Sequence, residues 1–266
     1  MISYDVIEWG KPLQKREHPT PAPTGTEVLL KLKYCGVCHS DLHAVEGDWT
    51  PHPTLPLIPG HEVTGHVEAL GEDVADFKKG DRIGVPWMFW SCGTCEFCLQ
   101  GMETICPRTE ATGYSKPGGY AEYMVAPAAF SGHLANHVDM NAMAPILCAG
   151  VTTYRGIKRT GARPGQWLAV IGIGGLGHIA VQYAKAMGLR VAAVDVSAEI
   201  FDAAARRVFH IEENGAEAAG AGGGVRSRQI KALADEAVVE LGTVFLRIVA
   251  ILQIPLALTM VLAGSL

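Results

Sequence analysis

The stretch Cys38-His39-Ser40-Asp41-Leu42-His43 places a soft metal ligand, a hydroxyl, a carboxylate and two imidazoles within six residues. Gly60-His61-Glu62 supplies another imidazole and carboxylate downstream, and Cys148 stands alone in an otherwise apolar run from Ala144 to Thr153. Two thiolates and one imidazole make a three-ligand zinc site whose fourth tetrahedral position stays open. Taken singly, Cys38 and Cys148 also read as small buried hydrophobes, and His61 as a core histidine. It is the grouping that points to metal chemistry.

A second ligand set shares no residue with the first. Cys92, Cys95, Cys98 and Cys106 form C-x2-C-x2-C-x7-C. Four thiolates at this spacing can close a tetrahedron around zinc and leave no open position, which makes such a site structural. An iron–sulfur cluster is the rival, and Pro107 resembles its ending, but that motif has three residues before its last cysteine where this chain has seven. Cys35 sits at C-x2-C spacing from Cys38 and, with the four-cysteine set complete, reads as a spare buried thiol.

A third pattern points to a nucleotide. Gly172-Ile173-Gly174-Gly175-Leu176-Gly177 follows an expected strand, Trp167 to Ile171, and opens a helical run, Ile179 to Met187. A second strand, Arg190 to Val194, ends at Asp195, 18 residues beyond Gly177. Glycines between strand and helix permit a tight turn and close approach of a pyrophosphate to the helix N-terminus. An acid at this distance binds a ribose 2′-OH and repels a 2′-phosphate, which selects NAD. A solvated strand-end acid is the alternative for Asp195.

The elements that must position these groups are short strands. Residues 1–23 carry little signal beyond the prolines at 19, 21 and 23. Glu27 to Tyr34, Glu62 to Leu70 and Asp81 to Pro86 read as strands parted by glycine turns, with a proline-rich loop at 46–59, and predict a small β-barrel-like domain. Gly118 to Tyr123 reads as a turn entering another strand.

The chain has 266 residues, 48% of them hydrophobic and 18% charged, with a formal net charge of −5, so it offers no basic face for nucleic acid. Asp5 and Glu8 interrupt the first apolar residues, so no signal peptide is expected. Seven cysteines, several at metal spacing, predict a reducing, cytoplasmic setting rather than a disulfide framework.

Together these residues resemble the zinc-dependent alcohol dehydrogenases of the medium-chain dehydrogenase/reductase family, most of all its microbial primary-alcohol branch. The resemblance rests on Tyr34 to His43, Pro59-Gly60-His61-Glu62, the four-cysteine lobe, Cys148 to Thr152 and the glycine loop through Asp195. It implies a β-rich GroES-like zinc catalytic domain at 1–150 and the first half of an α/β Rossmann-type NAD-binding domain at 151–199. It implies two zinc ions per chain: a catalytic one held by Cys38, His61 and Cys148, with Asp41 and Glu62 behind the ligands, and a structural one held by the four-cysteine lobe. Ser40 and His43 would carry the substrate proton. His39 would meet the NAD pyrophosphate beside Gly172, Gly174, Gly175, Leu176 and Gly177. Trp49 and Trp87 would crowd the pocket toward short primary alcohols or their aldehydes. Related reductases and polyol dehydrogenases share this framework.

After about Ile200 the family pattern is lost. Residues 216–224 are rich in Ala and Gly, Arg226 to Glu240 is polar, and Ile248 to Leu266 carries no charge. That last run approaches the length of a membrane helix, although Gln253 and Pro255 weaken it. The expectation is a tail of frameshifted, mis-spliced or truncated origin, an incomplete Rossmann domain, and loss of the homo-oligomer that relatives form. A non-catalytic zinc-binding remnant is the competing outcome.

Overall fold

The computed structural model describes residues 1–195. The expectations for 200–266, including the uncharged run, lie outside the described residues. No helix among the described residues is long and apolar enough to cross a membrane. By contacts these residues divide into two units, 1–148 and 149–195.

The first unit opens with a hairpin, β1 (Ile2–Asp5) against β2 (Gln14–Glu17). Composition gave it no signal because β2 is polar and exposed throughout. A buried carboxylate anchors it. Asp5 accepts from Ser3 Oγ at 2.5 Å and lies 3.0 Å from His18 Nε2 and 3.7 Å from Arg16.

The main sheet follows: β3 (Glu27–Cys35), β4 (Val63–Leu70), β5 (Arg82–Val85), and later β8 (Tyr123–Pro127) and β9 (Gly132–His133). Its five strands are antiparallel in the order β8-β3-β4-β5-β9. The expected barrel is thus an open sheet by pairing, since no pairing joins β8 to β9 among the described residues. Period-two alternation puts Val28 and Leu30, Val63 and Val67, Ile83 and Val85, and Met124 and Ala126 into one core. Each such side chain contributes roughly 1.5–3 kcal/mol relative to leaving it exposed.

Between β3 and β4 the chain forms α1 (His39–Glu46). The sequence gave no helical period here, and capping explains why it forms. Asp41 accepts the Cys38 N–H at 2.9 Å. Gly47, in the left-handed region at φ 74°, closes the other end onto the His43 carbonyl. The cysteine lobe lies between β6 (Met88–Trp90) and β7 (Glu110–Ala111), which pair with each other, and contains α2 (Glu96–Leu99) and a 3-10 turn at Glu103–Ile105. A short α3 (Met140–Met143) and a 3-10 turn (Pro145–Leu147) lead to Cys148.

The second unit is α4 (Ala149–Arg159), β10 (Trp167–Ile171), α5 (Gly177–Ala186) and β11 (Arg190–Val194). β10 and β11 are parallel, with Trp167 opposite Arg190 and Ile171 opposite Val194. Parallel pairing needs a crossover, and α5 provides it. Leu168, Val170, Ala180, Val181 and Ala184 form the core of this unit with Ile157 of α4.

Candidate functional site

Three segments of the first unit converge on one point. Cys38 is the N-cap of α1, His61 precedes β4, and Cys148 ends the turn after α3. Cys38 Sγ lies 3.9 Å from Cys148 Sγ, and His61 Nε2 lies 3.3 Å from the same sulfur. Two sulfurs on a tetrahedral zinc at ~2.3 Å stand about 3.8 Å apart, and a sulfur and an imidazole nitrogen about 3.6 Å. The donor set therefore fits zinc in type and spacing. Glu62, expected behind the ligands, places a carboxylate oxygen in the same group, with all four donor atoms within 4.8 Å of one another.

Asp41 organises this centre from inside. It is buried, and its Oδ1 accepts from His61 Nδ1 at 2.8 Å and from the Gly60 N–H at 3.1 Å. Its Oδ2 accepts the Cys38 N–H at 2.9 Å and the Tyr120 hydroxyl at 3.2 Å. By accepting the Nδ1–H it orients the ring so that Nε2 faces Cys148 and, once deprotonated, can act as the donor atom.

The charges follow from this packing. Hydrogen bonding to Cys148 draws the Cys38 thiol down to about 4 despite burial, with His61 assisting. Burial disfavours the His61 imidazolium, yet the bonds to Asp41 and Cys38 outweigh it and raise His61 to about 9. Cys148 is raised, first by its bond to the Cys38 thiolate and then by burial. Burial, with the Cys38 charge added, raises Glu62 to about 7. Without metal the cluster thus holds a thiolate–imidazolium pair and a protonated second thiol. Ligation by all three requires those protons to leave.

Ser40 is buried, and its Oγ lies 3.6 Å from Cys38 Sγ. One turn on, the His43 ring packs 4.7 Å from that of His39 and 5.1 Å from that of Trp49. Its Nδ1 is 2.7 Å from Asp48 Oδ2, a partner the sequence did not single out. Trp87 meets the His61 ring edge-on at 4.9 Å, and Trp49 meets Trp87 at 6.1 Å. Tyr114, also missed, packs on both tryptophans at 5.7 and 6.0 Å and donates to the Trp49 and Pro51 carbonyls. No spacing rule could have found it, because the loops carrying these rings are far apart in sequence. Cys35 is half-buried, and burial pushes its thiol up to about 12.

The four-cysteine set is equally compact. Cys92 lies 3.8 Å from Cys98 and 3.5 Å from Cys106, and Cys95 lies 3.5 Å from Cys98, sulfur to sulfur. These separations suit four thiolates on one zinc and are far beyond the ~2.05 Å of a disulfide. The Cys95 N–H points at Cys92 Sγ at 3.3 Å and the Arg108 N–H at Cys106 Sγ at 3.4 Å; backbone bonding from Thr94, with Cys95 assisting, draws the Cys92 thiol down to about 5.

In the second unit the glycine loop joins β10 to α5. Gly172 adopts φ 83°, and a Cβ on Gly177 would stand 1.8 Å from the Gly172 carbonyl oxygen, so the turn admits nothing larger. At Gly174 and Gly175 a Cβ would meet nothing within 4 Å among the described residues. That open side is where a phosphate could approach the start of the helix at Leu176 and Gly177. Asp195 lies at the end of β11, and its Oδ2 accepts the Ile173 N–H at 2.6 Å, tying the acid to the loop.

Comparison with known proteins agrees with this geometry. Residues 24–136 match the alcohol dehydrogenase GroES-like domain. An alcohol dehydrogenase of Geobacillus stearothermophilus is 54% identical over 194 residues, covering 73% of this chain and 58% of that protein. The fold matches a solved NAD-dependent alcohol dehydrogenase with a TM-score of 0.71 at 31% identity, covering 77% of this chain and 60% of that one. It also matches a cobalt- and zinc-bound thermostable alcohol dehydrogenase from Pyrobaculum aerophilum, with a TM-score of 0.68 at 32% identity, covering 77% and 63%. The chain spans less than two thirds of the length of these relatives. Residues 24–136 carry an alcohol dehydrogenase GroES-like domain, and with its two metal-type donor sets and its strand–glycine loop–helix unit the chain is similar to the alcohol dehydrogenases of the medium-chain dehydrogenase/reductase family.

Proposed function

We propose that the chain carries the metal centre and the first half of the cofactor domain of an NAD-dependent alcohol dehydrogenase acting on short primary alcohols or their aldehydes. Its domains would be 1–150 and 151–199, with 200–266 as a tail. It would hold two zinc ions, one on Cys38, His61 and Cys148 and one on Cys92, Cys95, Cys98 and Cys106. The observation that carries this is the buried Cys–His–Cys set with its histidine oriented by Asp41. Bound zinc would acidify an alcohol and bound NAD would accept hydride. The chain's own residues do the rest. Ser40 Oγ, beside Cys38, takes the hydroxyl proton, and His43 receives it near the surface, its Nδ1 held by Asp48. The glycine loop would hold the pyrophosphate and Asp195 the adenosine ribose, and His39 is proposed to contact the cofactor from its own unit. Zinc content together with an NADH fluorescence titration on the purified chain tests this. Two zincs with an NADH response are expected. Zinc without any NADH response would leave the chain as a zinc-binding remnant.

Two further outcomes follow. Gly177→Ala drives a methyl into the Gly172 carbonyl, so NADH affinity should fall by roughly tenfold or more, ~1.4 kcal/mol per tenfold. Unchanged NADH binding would remove the loop from the cofactor site. Trp87→Ala removes a ring packed edge-on to His61. In an intact homologue carrying these rings, the ratio of kcat/KM for hexanol over that for ethanol should rise by roughly tenfold, the low end of what methylene-sized differences supply in an apolar pocket. An unchanged ratio for both Trp87→Ala and Trp49→Ala would show that these rings serve only packing.

A further inference from the structure

Behind the metal centre lies a residue that neither touches metal nor borders the aromatic wall. Tyr120 donates its hydroxyl to Asp41 Oδ2 at 3.2 Å, and Asp41 Oδ1 in turn receives His61 Nδ1 at 2.8 Å. The ring is clamped on the His61 side. A Cβ on Gly60 would approach Tyr120 Cδ1 to 2.6 Å. The backbone of 118–120 is stitched to that of 58–60 by three bonds: Gly118 N–H to Ile58 O, Gly119 N–H to Gly60 O and Tyr120 N–H to Pro59 O. On its outer side Tyr120 lines a cavity of about 480 Å³ with Ile2, Tyr4, Leu13 and Lys15. The hydroxyl bond to Asp41 then fixes where the far end of the ring points. Burial, with the Asp41 charge added, keeps the phenol protonated and hence a donor.

We infer that Tyr120 is a positioning residue for the metal centre, setting the orientation of Asp41 and through it that of His61. This rests on the proposal that Cys38, His61 and Cys148 bind metal. The chemistry is directional. Among the described residues Asp41 Oδ2 receives two donors, the Cys38 N–H and the Tyr120 hydroxyl. Losing the second leaves a carboxylate lone pair unpartnered in a buried site and frees the carboxylate to rotate away from Nδ1.

Cobalt(II) tests this, because thiolate ligation gives it visible and near-ultraviolet absorption. The chain is titrated as wild type, as Cys148→Ser, as Tyr120→Phe and as Tyr120→4-aminophenylalanine, which keeps ring and donor. Wild type should take up two cobalt ions, and Cys148→Ser should lose one spectral component. Tyr120→Phe should bind that same component about tenfold more weakly, the lower end of what an outer-shell partner contributes. The four-cysteine component should be unchanged and reports that each variant is folded. The amino variant should recover part of the loss, and Tyr120→Leu, which also lacks the donor, replaces Tyr120→Phe if the phenylalanine protein does not fold. Equal affinity and identical spectra in wild type and the folded Tyr120 variants overturn the role of Tyr120. Uptake of a single cobalt by wild type overturns instead the metal reading on which it rests.

Discussion

Cys106→Ser should remove one zinc per chain and lower the thermal midpoint by on the order of 10 °C. Cys106 is the most distant ligand in sequence, and the zinc it completes would tie the turn at Glu103–Ile105 to Cys92 and Cys95. The lobe has little else to hold it. β6 and β7 contribute three and two residues, and Leu99 is exposed. A closed zinc site contributes its binding free energy to folding, because the unfolded chain has no preformed site. At free zinc about a thousandfold above its dissociation constant, that linkage is ~4 kcal/mol. For a folded body of 150–250 residues this converts to roughly 8–16 °C, at 2–4 °C per kcal/mol. Elemental analysis and differential scanning calorimetry with and without a chelator measure both. If wild type shows no chelator-dependent shift, the four cysteines do not bind a stabilising metal.

The two metal sets differ in how far sequence could reveal them. The four cysteines fall within one short lobe, and their sulfurs lie 3.5–3.8 Å apart across the pairs Cys92–Cys98, Cys92–Cys106 and Cys95–Cys98. Cys38, His61 and Cys148 come from a helix cap, a strand entry and a turn, and periodicity says nothing about such convergence. Family resemblance supplied that grouping, and the geometry then gave it physical content through Asp41. The strands at 27–35, 63–70, 167–171 and 190–194 were legible because alternating or continuous apolar residues bury a face. The α1 helix was not, because caps at Cys38 and Gly47 hold it where apolar spacing does not. The N-terminal hairpin was hidden for a similar reason: the buried Asp5 carboxylate and its contacts with Ser3, His18 and Arg16 fix it in the absence of an apolar pattern. Tyr114 and Tyr120 were missed because each acts through a hydroxyl whose partner lies more than 60 residues away.

Asp41→Asn should weaken metal binding at Cys38, His61 and Cys148 by 10- to 100-fold while leaving the four-cysteine set intact, although it changes only an oxygen to an amide. The four donors around the carboxylate decide this. Oδ1 faces His61 Nδ1 and the Gly60 N–H, whereas Oδ2 faces the Cys38 N–H and the Tyr120 hydroxyl. An asparagine has one acceptor end and one donor end. If its oxygen faces His61, its NH2 group meets the Cys38 N–H, and a buried donor at the helix cap loses its partner, at about 1–3 kcal/mol. If its NH2 group faces His61, Nδ1 must give up its proton to accept, and the neutral ring then carries its hydrogen on Nε2. That is the atom 3.3 Å from Cys148, and in this tautomer it cannot ligate. Either orientation harms the centre, and both leave the cysteine lobe alone. Competitive zinc titration with a chromophoric chelator resolves the two sites, and histidine NMR reports the tautomer of His61. Two zinc affinities equal to those of wild type, with His61 still protonated on Nδ1, would show that Asp41 serves the helix cap and not the metal.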